Sequence, residues 1–164
     1  MKINTGRYTS VIDKPFVLFI IGMRINAFWK IWFWPVIFLA MASMIRNLSI
    51  HREKGLLHYE VFIYLGGFGV IQYWRSFDEL HKFANNPKDE HVKSRRNYYA
   101  RNSQDVGIWH ETYLIDPKDV ESIYINTPTL GLGKAFKLTK VTGQTDTAKQ
   151  RLKKRLSYLV HSKN

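Results

Sequence analysis

The distribution of apolar positions along the chain predicts five β-strands. A strand buried on both faces forms an almost unbroken apolar run, whereas a half-buried strand alternates apolar with polar residues. Strand 105–115, DVGIWHETYLI, is the clearest, because β-branched and aromatic residues fill most of its positions. The other predicted strands are 16–26, 56–65, 68–75 and 120–126.

Alternation within two of these strands assigns their side chains to opposite faces. In strand 105–115 one face carries Ile108, His110, Thr112 and Leu114, and the other carries Trp109, Glu111, Tyr113 and Ile115. In strand 68–75 one face carries Val70, Gln72 and Trp74, and the other carries Ile71, Tyr73 and Arg75. An imidazole among apolar neighbours can exchange a proton near neutral pH, bind a metal or donate to a ligand. His110 is therefore the candidate functional residue, and a hydrogen-bonded core histidine is the alternative interpretation.

Helical spacing and capping residues place helices between the strands. Pro35 suits the first turn of a helix that runs to about His51. Ser76 and Glu79 match the S-x-x-E capping box, which begins a second helix. A third helical segment, at about 89–101, follows the Asn-Asn-Pro break. The order β-α-β-β-α-β plus one strand predicts the α+β class, with an antiparallel ferredoxin-like sheet and a split β-α-β arrangement.

The length and charge of the chain predict one domain flanked by two extensions. We expect an unstructured or loosely docked arm at 1–15, the domain at 16–133 and a basic tail at 134–164. The net charge is +12, and the tail alone holds nine Lys/Arg against one acid. A short apolar stripe in the tail, flanked by lysines and Arg155, predicts an amphipathic helix for an anionic membrane or a partner. A fraying, solubilising tail is the alternative.

Several functional classes are excluded or disfavoured by composition. The chain has no cysteine, which rules out disulfides, thiolate zinc sites and cysteine nucleophiles. No nucleic-acid-binding motif accompanies the basic tail, so no nucleic-acid partner is expected. The uncharged stretch 31–45 is fifteen residues long, short of the roughly 20 that span a bilayer. A buried helix is expected there, with membrane contact at its Trp-rich start as the alternative. We expect a cytoplasmic protein, with peripheral membrane contact through the tail as a further option.

Four motifs in the predicted domain carry a family resemblance. In order, they are IGMRIN, QYWRS, GIWHETY and YINTPTLGLG, all within 16–133. This stretch resembles the fumagillin-pathway monooxygenase-like family, which belongs to the dimeric α+β barrels of the antibiotic-biosynthesis-monooxygenase type. The resemblance implies a homodimer that closes a barrel and a monooxygenase-like oxidoreductase acting on a small hydrophobic substrate. Oxygenases of this fold that use no cofactor need a base to remove a proton from the substrate, and His110 is the candidate.

A second resemblance is local and implies a different cofactor. The C-terminal half of haem-dependent aldoxime dehydratases has an iron-ligating histidine on a helix, then a strand with His-Glu, then Tyr-Ile-Asn. Here His91 lies in the predicted helix, Trp109-His110-Glu111 in the strand and Tyr124-Ile125-Asn126 after it. The resemblance implies haem, with His91 as the proximal ligand and His110 as a distal acid or base. The cofactor is thus either none or haem.

The candidate pocket lies against one face of the sheet around His110, and the sequence does not determine which face. Its candidate walls are Arg24, Gln72, Tyr73, Trp74 and Trp109. Glu111 faces away from His110, so we expect it to pair across the sheet. Three functions stay open: a cofactor-free oxygenase, a haem protein with aldoxime dehydratase-like activity, and a non-catalytic binding module that uses the basic tail.

Overall fold

The computed structural model describes residues 2–27, 29, 35, 39, 46, 52–87 and 104–161, with no side-chain description for residue 52 or beyond 154. The strands of these stretches are β1 (Asn4–Val11), β2 (Phe16–Ile25), β3 (Leu56–Tyr64), β4 (Gly67–Trp74), β5 (Val106–Ile115), β6 (Tyr124–Thr127) and β7 (Lys137–Lys140). The helices are α1 (Phe77–Asn85), α2 (Leu132–Ala135) and α3 (Ala148–His161). The helix predicted from Pro35 lies almost wholly outside the described residues, as does the segment 89–101 with His91.

Four strands form the main sheet, in the order β3-β4-β2-β5, and every neighbouring pair is antiparallel. β2 is central and pairs along its full length with β5, from Phe16 opposite Ile115 to Ile25 opposite Val106. This is the strand order that a split β-α-β arrangement produces. The predicted α+β class and ferredoxin-like sheet are confirmed, and the four strands lie within two residues of their predicted bounds.

Helix α1 packs on one side of this sheet, which we call the helix face. Leu80 and Phe83 of α1 form a cluster there with Val17, Leu56 and Trp74. The N-terminus of α1 is capped as predicted, because the Ser76 hydroxyl accepts a hydrogen bond from the Glu79 N–H at 3.3 Å. The Glu79 carboxylate binds the Arg75 guanidinium instead of returning to Ser76. The other side of the sheet is called the opposite face.

A second, three-stranded sheet corrects the prediction of an unstructured N-terminal arm. Its order is β6-β1-β7, so residues 4–11 are its central strand. The fully buried residues of β1 are Thr9 and Ser10, which point to opposite sides of the sheet, and the Ser10 hydroxyl lies 2.5 Å from that of Ser122. Because both buried residues are polar, the sequence of β1 has no apolar alternation to indicate a strand. The fifth predicted strand, observed as β6, also belongs to this sheet.

The basic tail is attached to the rest of the protein through both β7 and α3. β7 pairs with β1, and α3 is anchored by Arg151, whose side chain is 6% exposed. The Arg151 guanidinium donates to the carbonyls of Thr145 and Asp146, at 2.9 and 2.7 Å, and pairs with Glu121. The predicted helix is present, but the tail also contributes a strand. No helix among the described residues is long and apolar enough to cross a membrane.

Candidate active site

Strand β5 presents His110 on the helix face of the main sheet. Val106, at the start of β5, packs with Phe68 and Val70 in a buried cluster on that face. Alternation then places Ile108, His110, Thr112 and Leu114 on the same face, as predicted. The imidazole of His110 lies beside Phe19 of β2, with ring centroids 5.6 Å apart and planes tilted by 41°.

The helix face is closed over β4 and open along β5. Gln72 and Trp74 of β4 are only 2% and 0% exposed, whereas Leu114 of β5 is 73% exposed. His110 and Thr112 are exposed as well. Because β5 is an edge strand of the sheet that the described residues form, the strand beside it lies on one flank only. The result is an open strip along β5, which we call the β5 strip and define as Ile108, His110, Thr112 and Leu114.

The β5 strip and the adjoining residues of β2 are apolar apart from His110 and Thr112. The neighbours from β2 are Phe19, Ile21 and Met23, all half-buried. Among the described residues of β2 and β5 on this face, His110 carries the one ionisable side chain. Beyond Leu114 the strip leads into an open groove of about 400 Å³, which is lined by Val17 and Phe77 and also by the charged Arg75 and Asp116. The strip itself suits an apolar ligand that meets a single proton-exchanging group.

No carboxylate of the described residues orients His110. Glu111 lies on the opposite face, as predicted, and its Oε2 accepts a hydrogen bond from the Tyr113 hydroxyl at 2.5 Å. Among the described residues, the partner of Glu111 is thus Tyr113, two residues along on the same face of β5, and the pairing expected across the sheet stays a prediction.

Gln72 and Trp74 share the helix face with His110 and lie below the protein surface. The Trp74 indole N–H donates to Gln72 Oε1 at 2.9 Å, and the Trp74 ring packs against Phe83. Phe19 lies opposite Gln72 in the register and also contacts His110. Gln72 and Trp74 therefore form part of the packed base beneath the site, separated from His110 by β2.

Arg24, Tyr73 and Trp109 lie on the opposite face, away from His110. The Trp109 ring covers Gly22, where an added Cβ would be 2.5 Å from the indole. Its N–H donates to the Tyr64 hydroxyl at 2.9 Å, which in turn donates to the Met23 carbonyl at 3.0 Å. Arg24 is exposed at the end of β2. The predicted wall residues therefore do not converge on one pocket.

A polar cluster on the opposite face was not predicted. His58 Nε2 lies 2.8 Å from Glu60 Oε1, which also accepts the Gly131 N–H at 2.9 Å. Lys134 Nζ lies 3.9 Å from the same oxygen, and the Tyr73 ring stacks on His58 with centroids 6.3 Å apart. The alternate spacing of His58 and Glu60 is the signal in the sequence, but a register shift between Leu56 and His58 decides which face they occupy.

The surroundings of this polar cluster favour the ionised form of Glu60 and the protonated form of Tyr73. Burial raises the pKa of Glu60, but hydrogen bonds from Gly131 and His58, with the charges of His58 and Lys134, hold that pKa below its ordinary value. Burial, with Tyr124 and Glu60 nearby, raises the pKa of Tyr73 to about 12. Tyr73 therefore stays protonated near neutral pH and acts as a donor, not as a base.

Within the described stretches, no group of three or more His, Cys, Asp or Glu side chains could hold a metal ion. His91, the predicted haem ligand, lies outside those stretches. The β5 strip is apolar enough to receive a flat hydrophobic ring, and His110 is its one proton-exchanging group.

Comparisons with known proteins place this fold in context. An aldoxime dehydratase, OxdRE, solved in complex with butyraldoxime, superposes with a TM-score of 0.59 at 18% identity. The match covers 74% of this chain but 37% of that protein, so this chain spans little more than a third of its length. SnoaB, a cofactor-independent oxygenase from Streptomyces nogalater, matches with a TM-score of 0.42 at 12% identity, covering 62% of this chain and 94% of SnoaB. No curated protein matches the chain.

The sequence match is more specific than these structural similarities. Residues 16–132 match the family model described as monooxygenase af470-like. That stretch includes helix α1 and all four strands of the main sheet, among them β5, which carries His110. It covers well over half of the chain and agrees with the resemblance seen in the four motifs. The chain therefore belongs to the monooxygenase af470-like family.

Proposed function

We propose that this protein is a small-molecule oxygenase that acts on an apolar, electron-rich substrate along the β5 strip. The observation that carries the proposal is His110, a single imidazole in an open apolar strip beside Phe19. An imidazole can take up a proton as a base and return it as an acid, so one side chain can serve both steps. Phe19 supplies an aromatic surface for the substrate at the same point.

The proposed reaction converts a methylene group next to a phenolic ring into a ketone, with dissolved O₂ as the oxidant. His110 removes one methylene proton, and the resulting carbanion is delocalised into the ring. The carbanion bonds to O₂, and the protonated imidazole returns its proton to the peroxide that forms. Loss of water then leaves the ketone, so that R₂CH₂ and O₂ become R₂C=O and H₂O. General-base catalysis of this kind contributes about 10²–10⁴-fold in rate.

Oxygen uptake with an anthrone-type phenol tests this proposal. Replacing His110 by Gln removes the base but preserves a polar side chain, so uptake is expected to fall by about a hundredfold or more. His58→Gln is the matched control, because His58 lies on the opposite face of the main sheet, away from the strip. Full activity in His110→Gln would contradict the assignment of the base.

The second candidate function is a haem-dependent lyase acting on an aldoxime, as the aldoxime dehydratase similarity suggests. In favour of it, the β5 strip offers an apolar surface that carries His110, which the resemblance makes the distal acid. Haem, when bound, would supply a Lewis-acidic iron for the dehydration. In this chain His91 would hold it, and His110 would hold the proton needed at the leaving hydroxyl.

An absorbance spectrum with hemin separates the two candidates. A sharp Soret band that His91→Ala abolishes and His110→Ala only perturbs would support the haem protein. The absence of a specific band would leave the cofactor-free oxygenase as the better account.

We also propose that the protein is a homodimer, as its family resemblance implies. Among the described residues β5 is an edge strand of the main sheet, and on the opposite face it exposes the aromatic side chains of Trp109 and Tyr113; such an edge favours association. Sedimentation velocity over a range of concentrations tests this. A mass of about 19.4 kDa at every concentration would exclude it.

A further inference from the structure

Thr112 is the second polar side chain of the β5 strip, two residues along the strand from His110. Among the described residues, the other side chains that β2 and β5 place on the helix face are hydrocarbon or thioether. Thr112 is exposed, and no other described residue makes a hydrogen bond with its hydroxyl. An apolar ligand on the strip therefore meets one imidazole and one hydroxyl.

The register of β2 against β5 places an aromatic ring beside both polar groups. Phe19 lies directly opposite Thr112, and Ile21 lies opposite His110. The Phe19 ring is also 5.6 Å from the ring of His110, its diagonal neighbour, and Thr112 stays exposed. A flat substrate that stacks on Phe19 thus has the imidazole and the hydroxyl along the same edge.

The spacing of the two polar groups restricts the shape of that substrate. Side chains two residues apart on one face of a strand are separated by about 6.7 Å. A hydrogen bond from a hydroxyl takes up about 2.8 Å of this, which leaves roughly 4 Å between the substrate atom at His110 and the oxygen at Thr112. A ring methylene carbon and a ketone oxygen at the opposite corner of the same six-membered ring have this separation.

We propose that the Thr112 hydroxyl donates a hydrogen bond to the substrate oxygen that becomes negatively charged when His110 removes the proton. This role rests on the proposed function, because His110 must act as the base. The substrate is then a cyclic aryl ketone whose methylene group lies across the ring from the ketone. Its ketone end points toward Leu114, since Thr112 lies between His110 and Leu114 on the strip.

Thr112 is a catalytic residue in this scheme, because its hydroxyl touches the atom on which charge develops. When the C–H bond breaks, the proton passes to the imidazole and the electron pair moves through the ring to the ketone oxygen. The ketone becomes an enolate. A hydroxyl aimed at this oxygen stabilises the enolate more than the neutral ketone, because hydrogen bonds to charged acceptors are the stronger ones.

Deuterium exchange at the methylene group of anthrone, measured without oxygen, tests the role of Thr112. In D₂O, removal of a proton and return of a deuteron label the methylene, so exchange reports proton removal separately from oxidation. Thr112→Val removes the hydroxyl and keeps the shape, and it should slow the catalysed exchange about tenfold or more. Thr112→Ser retains the hydroxyl and should retain most of the exchange. Thr5→Val is the matched control, because Thr5 is exposed on β1 of the second sheet, and it should match the wild type.

A second ligand separates loss of the hydrogen bond from damage to the strip. Dihydroanthracene has the same rings as anthrone but a second methylene in place of the ketone. Thr112→Val should weaken anthrone binding about three- to tenfold, because one hydrogen bond is lost. Binding of dihydroanthracene should not change, since this ligand has no oxygen for the hydroxyl to meet.

The outcomes distinguish this role of Thr112 from the oxygenase itself. Catalysed exchange that is equal in Thr112→Val and the wild type would overturn the role of Thr112 and keep His110 as the base. Equal losses in Thr112→Val and Thr112→Ser would also overturn it, because the hydroxyl would not be the cause. Exchange that depends on Thr112 without any oxygen uptake would support the role of Thr112 and overturn the oxygenase. No catalysed exchange in the wild type would overturn both.

Discussion

Glu60 shows how a single carboxylate joins two parts of the chain. It lies on β3 of the main sheet, yet it accepts the N–H of Gly131, which precedes α2 and the second sheet. Burial opposes the charge on Glu60, and the hydrogen bonds and nearby cations outweigh that effect, so its pKa is lowered. A group whose pKa is lower in the folded state stabilises the fold when it is ionised.

Glu60→Gln should lower the free energy of unfolding by about 1 kcal/mol at pH 7, a modest value because the side chain is part-exposed. The stabilisation is complete above the unfolded pKa of about 4.3 and disappears as the pH falls through the lower folded value. The difference between wild type and variant should thus shrink in urea denaturation below about pH 4. Asp13→Asn, at an exposed carboxyl, is the control. A pH-independent difference would contradict this account.

Gly22 is required by the ring that covers it. An added Cβ at Gly22 would lie 2.5 Å from the Trp109 indole, while at Gly143 nothing lies within 4 Å. Gly22→Ala should therefore destabilise the protein by about 1–3 kcal/mol through overpacking. Gly143→Ala, the control, should be nearly neutral. The loss of unfolding free energy caused by Gly22→Ala should largely vanish when Trp109 is also replaced by alanine. Denaturation of the wild type, the two single variants and the double variant measures this, and an undiminished loss in the double variant would contradict the contact.

At the scale of elements, α3 depends on a single buried cation. Arg151 binds the carbonyls of Thr145 and Asp146 and the carboxylate of Glu121. Because Glu121 and both carbonyls lose this partner together, Arg151→Ala should lower the free energy of unfolding by about 2 kcal/mol or more. Hydrogen exchange in 148–161 should rise while β2 stays protected. Lys149→Ala, at an exposed position, should change neither. Unchanged exchange in Arg151→Ala would refute the anchoring role.

The main sheet could be predicted from the sequence because its strands bury large apolar side chains on at least one face. β2 is nearly apolar throughout and β5 alternates, so each produces a clear pattern. β1 could not be predicted, because its buried residues are Thr9 and Ser10. The pairing of β6 with β1 joins residues more than a hundred positions apart, and no local pattern encodes such a contact.

For the candidate site, the sequence predicts which side chains share a face within one strand, but not which faces of different strands lie on the same side of the sheet. Alternation placed His110, Gln72 and Trp74 correctly relative to their own strands, but it does not relate one strand to another. The register does so, and it separates Tyr73, Trp109 and Arg24 from His110. The pairing of His58 with Tyr73 follows a register shift that the sequence does not show.

At the scale of the whole molecule, the main sheet carries two different chemical surfaces. The helix face holds an open apolar strip with one imidazole, and the opposite face holds the His58, Glu60 and Tyr73 cluster beside the second sheet. The first suits proton transfer to an apolar substrate. The second ties the two sheets together through Glu60 and Gly131.

The central claim is that substrate meets His110 and not the opposite face. The direct measurement is proton NMR of the imidazole resonances of the six histidines while an anthrone-type phenol is added without oxygen. His110→Gln and His58→Gln assign the two signals of interest. We expect the His110 resonance to shift in proportion to occupancy while that of His58 stays fixed. A shift of His58 with His110 unmoved would contradict the account and place the substrate on the opposite face.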